Sequence, residues 1–233
     1  MKTAVLVCGQ YRQFDLAYKS WKFLQQLDCD VYVSTWNKSK QLYDVGKYIE
    51  FDVSEDMISS KIKTKIIDVI DEKEYDNLNN SEKMVFHSKN CLKNVIQSNI
   101  KYDFFLYIRM DLFIENTNIN QYYLFYSFNK KNKLYGDGCG LVYGKEGEPL
   151  FNNDTFFFGK PETITKLIYN LPNEIKNAHA DFGETFVKIG LEFEQISFFR
   201  SQFIRPNIPE ENINVDIINE KNDEYVKFIR NKH

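Results

Sequence analysis

Two nearly unbroken apolar runs, Thr3–Cys8 (TAVLVC) and Phe104–Ile108 (FFLYI), limit what this chain can become. They are far too short to span a membrane and show no polar alternation, so each reads as a strand covered on both faces. After the first run, Phe14, Ala17, Trp21 and Leu24 recur at helical spacing. A second strand follows over Asp30–Trp36 (DVYVSTW). This β-α-β order predicts an α/β fold with a mixed, mostly parallel sheet flanked by helices.

Further along, Tyr48–Val53 and Lys63–Ile70 are weaker strand segments. Ser81–Gln97 reads as a helix, with Ser81 as its cap and Glu82 in the first turn. Thr155–Phe158 is another strand, and Pro161 stands where a first helical residue belongs. A helix is expected near Asp181–Gly190 and a last strand near Ile196–Ile204. Five of the ten glycines (Gly136, Gly138, Gly140, Gly144 and Gly147) predict a mobile or tightly turning loop. No repeat or linker divides the chain. Residues 1–205 read as one domain and 206–233 as a polar tail with a short helix near Asp223–Ile229.

The formal net charge is −3 with both signs well mixed. That argues against a nucleic-acid partner and against a basic membrane-binding face. No apolar run is long enough for an integral membrane segment. Cys8, Cys29, Cys91 and Cys139 form no C-x-x-C pair, which fits reduced thiols and a cytoplasmic setting. The apolar start has no small-residue cleavage site and reads as a strand rather than a signal peptide.

Open parallel sheets bind ligands beyond the carboxyl ends of their strands. Gly9-Gln10-Tyr11-Arg12, Arg109-Met110-Asp111 and Asn153-Asp154 should meet there. Asp111 follows a buried strand and needs solvent, a donor or a cation. It reads either as a ligand for a divalent ion holding a diphosphate or as a turn aspartate. Arg109 reads either as a phosphate partner or as a salt-bridge partner of Asp111. Arg12 is a second diphosphate candidate, or else a surface arginine after a plain turn. Gly9 would let a nucleotide approach the backbone, although G-x-G-x-x-G is absent. Asp154 fits an acceptor-orienting group or general base, and equally a turn aspartate. Asp181 and Glu184 share a helix face, suited to an acceptor or to a capping box. His179 would complete a metal shell. His87 reads as a packed or surface histidine.

Four segments occur in order: Val5–Arg12 (VLVCGQYR), Asp30–Trp36, Tyr102–Asp111 (YDFFLYIRMD) and Asn153–Gly159 (NDTFFFG). Together they resemble the small GT-A-type glycosyltransferases of large DNA viruses and bacterial surface-polysaccharide clusters, over roughly residues 3–205. The resemblance implies a nucleotide-diphospho-sugar transferase fold, a Mn²⁺ or Mg²⁺ requirement and a donor that is commonly a UDP-sugar. It implies a D-x-D-like metal site at Arg109–Asp111, with Asp111 matching the last aspartate, and acceptor-side acids at Asp154 and near Glu184. The arginine at position 109 departs from the usual aspartate.

The leading expectation is therefore a metal-assisted glycosyltransferase acting on a glycan or glycoprotein acceptor. Gly9, Gln10, Arg12, Ser34, Thr35, Trp36, Arg109 and Asp111 would hold the donor. The alternatives are a sugar nucleotidyltransferase, for which the first loop is poor in glycine and basic residues, and a carbohydrate-binding domain that has lost catalysis.

Overall fold

The computed structural model describes residues 1–44, 47–115, 129–136, 142–143, 149–150, 155–175, 178–195 and 200–203. Its centre is a seven-stranded sheet. The strands β1 (Thr3–Cys8), β2 (Cys29–Trp36), β5 (Ile66–Ile70) and β6 (Phe104–Arg109) run parallel, with β1 between β2 and β6. Beyond β6 lie β11 (Phe156–Gly159), antiparallel to both neighbours, then β8 (Lys133–Gly136), then β12 (Glu192–Gln195) parallel to β8. In order of appearance the seven strands are arranged 3-2-1-4-6-5-7.

The apolar runs behave as their pattern requires. All six residues of β1 are buried. Val5 and Val7 face one layer, where α1 (Phe14–Ser20) and α2 (Glu55–Ser59) pack through Phe14, Ala17 and Ile58. Ala4, Leu6 and Cys8 face the other, beneath α3 (Asn80–Gln97), α4 (Pro161–Asn170) and α5 (Ala178–Lys188). Each fully buried Leu, Val or Phe contributes about 1.5–3 kcal/mol relative to exposure, so two filled layers fix the sheet between them. Tyr107 and Phe157 stack across β6 and β11 with ring centres 4.5 Å apart. The described chain is an α/β fold whose mostly parallel sheet has helices on both faces. No helix among the described residues is long and apolar enough to cross a membrane.

The amino-terminal edge of the sheet is fastened by polar groups. The Tyr102 hydroxyl donates to Asp30 Oδ2 at 2.7 Å and lies 2.6 Å from the Tyr32 hydroxyl. Lys2 Nζ is 2.8 Å from the same Asp30 oxygen, and Lys2 N donates to Asp103 Oδ2 at 2.8 Å. Three adjacent strands are thus tied at one end.

Several boundaries differ from expectation for local reasons. The first helix stops at Ser20, and a 3₁₀ turn covers Lys22–Gln25. Ser20 Oγ accepts from Ile114 N at 2.9 Å and Trp21 Nε1 donates to Leu112 O at 2.8 Å, so both residues serve β7 (Leu112–Glu115). Strand β3 (Lys38–Asp44), paired with β4 (Lys47–Asp52), carries no apolar alternation and was not expected. Arg109 ends β6 rather than following it. Gly136 closes β8, where a Cβ would meet Phe156 O at 2.7 Å; close strand approach explains this glycine. The other four glycines of that cluster lie outside the described residues, as do 196–199 and the 206–233 tail. Strand β9 (Val142–Tyr143) pairs antiparallel with β10 (Pro149–Leu150), and β13 (Arg200–Phe203) with β7.

Helix α3 is capped by Asn79, not Ser81. Asn79 Oδ1 accepts from Ser81 N and Glu82 N at 2.9 and 3.0 Å, and Glu82 Oε2 accepts from Asn79 N at 2.8 Å. Asn79 Nδ2 also donates to Ile175 O at 2.7 Å, which joins the helix start to the segment beyond α4. Replacing Asn79 by Ala is expected to lower unfolding free energy by about 1–2 kcal/mol. Urea titration should show a lower midpoint at unchanged slope.

Candidate active site

The chain lays β2 and β5 on one side of β1 and then returns to place β6 on the other. That reversal falls at the carboxyl ends of β1 and β6, the place where open α/β sheets generally bind ligands. Cys8 pairs with Arg109 in register, so Gly9–Arg12 and Met110–Asp111 leave the sheet side by side. Met110 N donates to Cys8 O at 3.2 Å, and Arg109 N donates to Thr155 O at 2.9 Å.

Gly9 has φ +108°, with open space where a Cβ would stand. Any other residue would be strained there by about 1–3 kcal/mol. Its N–H donates to Ser34 O at 3.2 Å. Tyr11 then buries its ring and donates from its hydroxyl to Asp15 Oδ1 at 2.8 Å, an oxygen that also pairs with Lys61 Nζ at 2.8 Å. Burial, then the Asp15 charge, pushes the Tyr11 phenol up, so it stays a neutral donor. Arg12 is held next: its N–H donates to Ser39 Oγ at 2.8 Å, and its Nε donates to Gln10 Oε1 at 2.5 Å.

Asp111 is 8% exposed and both its oxygens face Arg109. Arg109 Nε donates to Oδ1 at 3.0 Å and Nη2 donates to Oδ2 at 2.8 Å, a two-pronged fork. Arg12 Nη1 approaches Oδ2 at 4.0 Å. Arg12, Arg109 and Asp111 together carry one net positive charge, and the Arg12 side chain is 39% exposed.

Ser34, Thr35 and Trp36 are at most 1% exposed. Ser34 Oγ accepts from Asn90 Nδ2 at 3.1 Å and is hydrogen-bonded to His87 Nδ1 at 2.8 Å. Asn90 and Asn94 both donate to Asp68 Oδ2, the latter at 2.5 Å. Trp36 lies against Phe86, Tyr75 and His87. Ser34 and Trp36 thus turn into the layer under α3, while Thr35 alternates to the opposite face with Val33. His87 is packed, as its place in a helix pattern suggested. Sequence reading passed over Ser39, Asp15 and the Asp68 network. Only the i, i+4 spacing of Asn90 and Asn94 marks that network in the sequence.

Asp181 and Glu184 lie on α5, half-buried and exposed respectively. That helix begins at Ala178, so Asp181 is a first-turn residue rather than the N-cap of a capping box. It packs through Phe182 against Phe157, on the sheet face continued by Phe105, Tyr107 and Arg109. His179 is in the helix, but its side chain is outside the described residues, and so is all of Asp154. Among the described residues no three His, Cys, Asp or Glu side chains converge as a metal would need. Two clefts lie away from this rim. One of about 320 Å³ sits beside Trp21 and Lys63, and one of about 540 Å³ lies between Phe86 and Tyr169.

Compared with known proteins, the chain matches no family model, and no curated protein matches it.

The buried network predicts an acid-sensitive fold. Burial, helped by Lys83, lowers the His87 pKa to about 3, while an unfolded histidine titrates near 6.5. The unfolded chain therefore binds the extra proton between those values. Stability is full above about pH 6.5 and is lost as pH falls towards 3, by up to about 1.4 kcal/mol per unit. In His87→Gln, unfolding curves taken across this window should show a shallower decline.

Proposed function

We propose that this protein is a glycosyltransferase of the GT-A type that takes a glycosyl group from a nucleotide-diphosphate sugar, a UDP-sugar in the first instance, and gives it to a glycan acceptor. The observation that carries this reading is the positively charged Arg12–Asp111–Arg109 cluster at the carboxyl rim of β1 and β6. A diphosphate leaving group is an anion, and preorganised donors aimed at developing negative charge lower the barrier to its departure. The positive-φ turn at Gly9 brings backbone to the same rim.

In the transfer, the acceptor hydroxyl oxygen forms the new bond to the anomeric carbon. The bond from that carbon to the phosphate oxygen breaks, and its electron pair leaves with the nucleoside diphosphate. Arg12 donates hydrogen bonds to the departing phosphate. Asp111 fixes the Arg109 guanidinium in one orientation. The hydroxyl proton passes to a carboxylate, for which Asp154, Asp181 and Glu184 are the candidates. The expected Mn²⁺ or Mg²⁺ does not fit the described donor set. Both Asp111 oxygens are engaged by arginine, and among the described residues no three His, Cys, Asp or Glu side chains gather as a metal would need.

A second reading, a glycan-binding domain without catalysis, draws on the same fork, since a carboxylate locked to arginine is spent on structure. A thermal-shift screen of UDP- and GDP-sugars separates the two. Transferase function predicts a raised melting temperature with at least one donor, followed by slow release of free nucleoside diphosphate. A shift with oligosaccharides but none with any nucleotide sugar would favour the binding domain.

A further inference from the structure

We propose that the donor's diphosphate is bound by arginine in place of a divalent cation, with Arg12 as the ligand-contacting residue and the Arg109–Asp111 pair as its fixed support. This deepens the transferase reading and rests on it.

Three observations converge. First, the fork of Arg109 on Asp111 uses one donor for each oxygen, at 3.0 and 2.8 Å. A cation binding this carboxylate would displace charge-assisted hydrogen bonds and sit a few ångströms from a guanidinium of like sign. Second, among the described residues two guanidiniums converge on one carboxylate, Arg12 Nη1 lying 4.0 Å and Arg109 Nη2 2.8 Å from the same Asp111 oxygen. Sites for hard divalent ions are built from carboxylates and are negative before the ion arrives. These three side chains instead carry one net positive charge, which favours an anion over a cation. Third, Arg12 is preorganised yet reachable. Ser39, itself 1% exposed, anchors its backbone; Gln10 orients its Nε; and the side chain is 39% exposed. A fixed guanidinium at a rim offers paired donors that match phosphate oxygens.

Asp111 is then a positioning residue. It neutralises Arg109 and sets the approach of Arg12 without contacting the ligand. Its replacement by Asn removes negative charge but keeps an acceptor for Arg109. A metal ligand and a positioning residue therefore respond in opposite ways to Asp111→Asn.

The test is calorimetric titration of the full chain with UDP, and separately with inorganic pyrophosphate, in excess EDTA and then in Mn²⁺. Wild type, Arg12→Gln, Arg12→Lys and Asp111→Asn are compared after their melting curves confirm folding. The expected result is UDP affinity equal within about twofold in the two conditions. Arg12→Gln should weaken it by about tenfold or more, as loss of one or two charge-assisted hydrogen bonds implies, with partial recovery in Arg12→Lys. Asp111→Asn should leave binding unchanged or tighter. Binding that requires Mn²⁺ and is lost in Asp111→Asn overturns the inference but leaves the transferase reading intact. Binding unaffected by Arg12→Gln overturns it equally. Failure of both probes to bind in either condition overturns this inference and the transferase reading together.

Discussion

A strand buried on both faces cannot exist alone, and everything in this chain follows from covering two such strands. Thr3–Cys8 and Phe104–Arg109 lie side by side in parallel. Parallel neighbours need crossover connections, and those connections supply the helices above and below. Val5, Val7 and Ile108 demand one layer; Leu6, Cys8 and Tyr107 demand the other. Because the chain fills one side of β1 before the other, β1 and β6 end side by side at the point where the strand order reverses. The rim with Gly9, Arg12 and Asp111 is a by-product of covering the sheet.

What the sequence made legible is what burial dictates. Thr3–Cys8 was readable to the residue, and Phe104–Ile108 to within one, because continuous apolar runs have one good solution. Pro161 opens its helix as expected, since its missing N–H costs nothing there. Of the hairpin of Lys38–Asp44 with Lys47–Asp52, the second strand was readable as Tyr48–Val53 but the first was not: it has the polarity of a loop, and pairing alone makes it a strand. Ser81 looked like a cap because serine is a good one. Asn79 won because its side chain reaches two helix N–H groups and a distant carbonyl at once.

The site was half legible for the same reason. A strand's end announces where Arg109 and Asp111 emerge, and their two-residue spacing allows the fork that forms. The spacing does not announce that Arg12, about a hundred residues away in sequence, arrives at the same carboxylate. Nor does it show that Ser34 and Trp36 turn inward. Alternation puts them on the α3 side, but only the packed helix reveals that Asn90, His87 and Phe86 already engage them. Side chains at the end of a central strand are claimed first by the neighbouring layer.

The polar tie among Lys2, Asp30, Tyr32 and Tyr102 has a mechanical consequence. It pins three strands at the edge remote from the rim, so slippage of one strand past another would break the whole set at once. Whatever small rearrangement accompanies a guest at the opposite edge must therefore pivot about this anchored end, opening like a fan rather than shearing. Displacements would then be greatest at Gly9 and Asp111 and would fade towards Thr3 and Phe104.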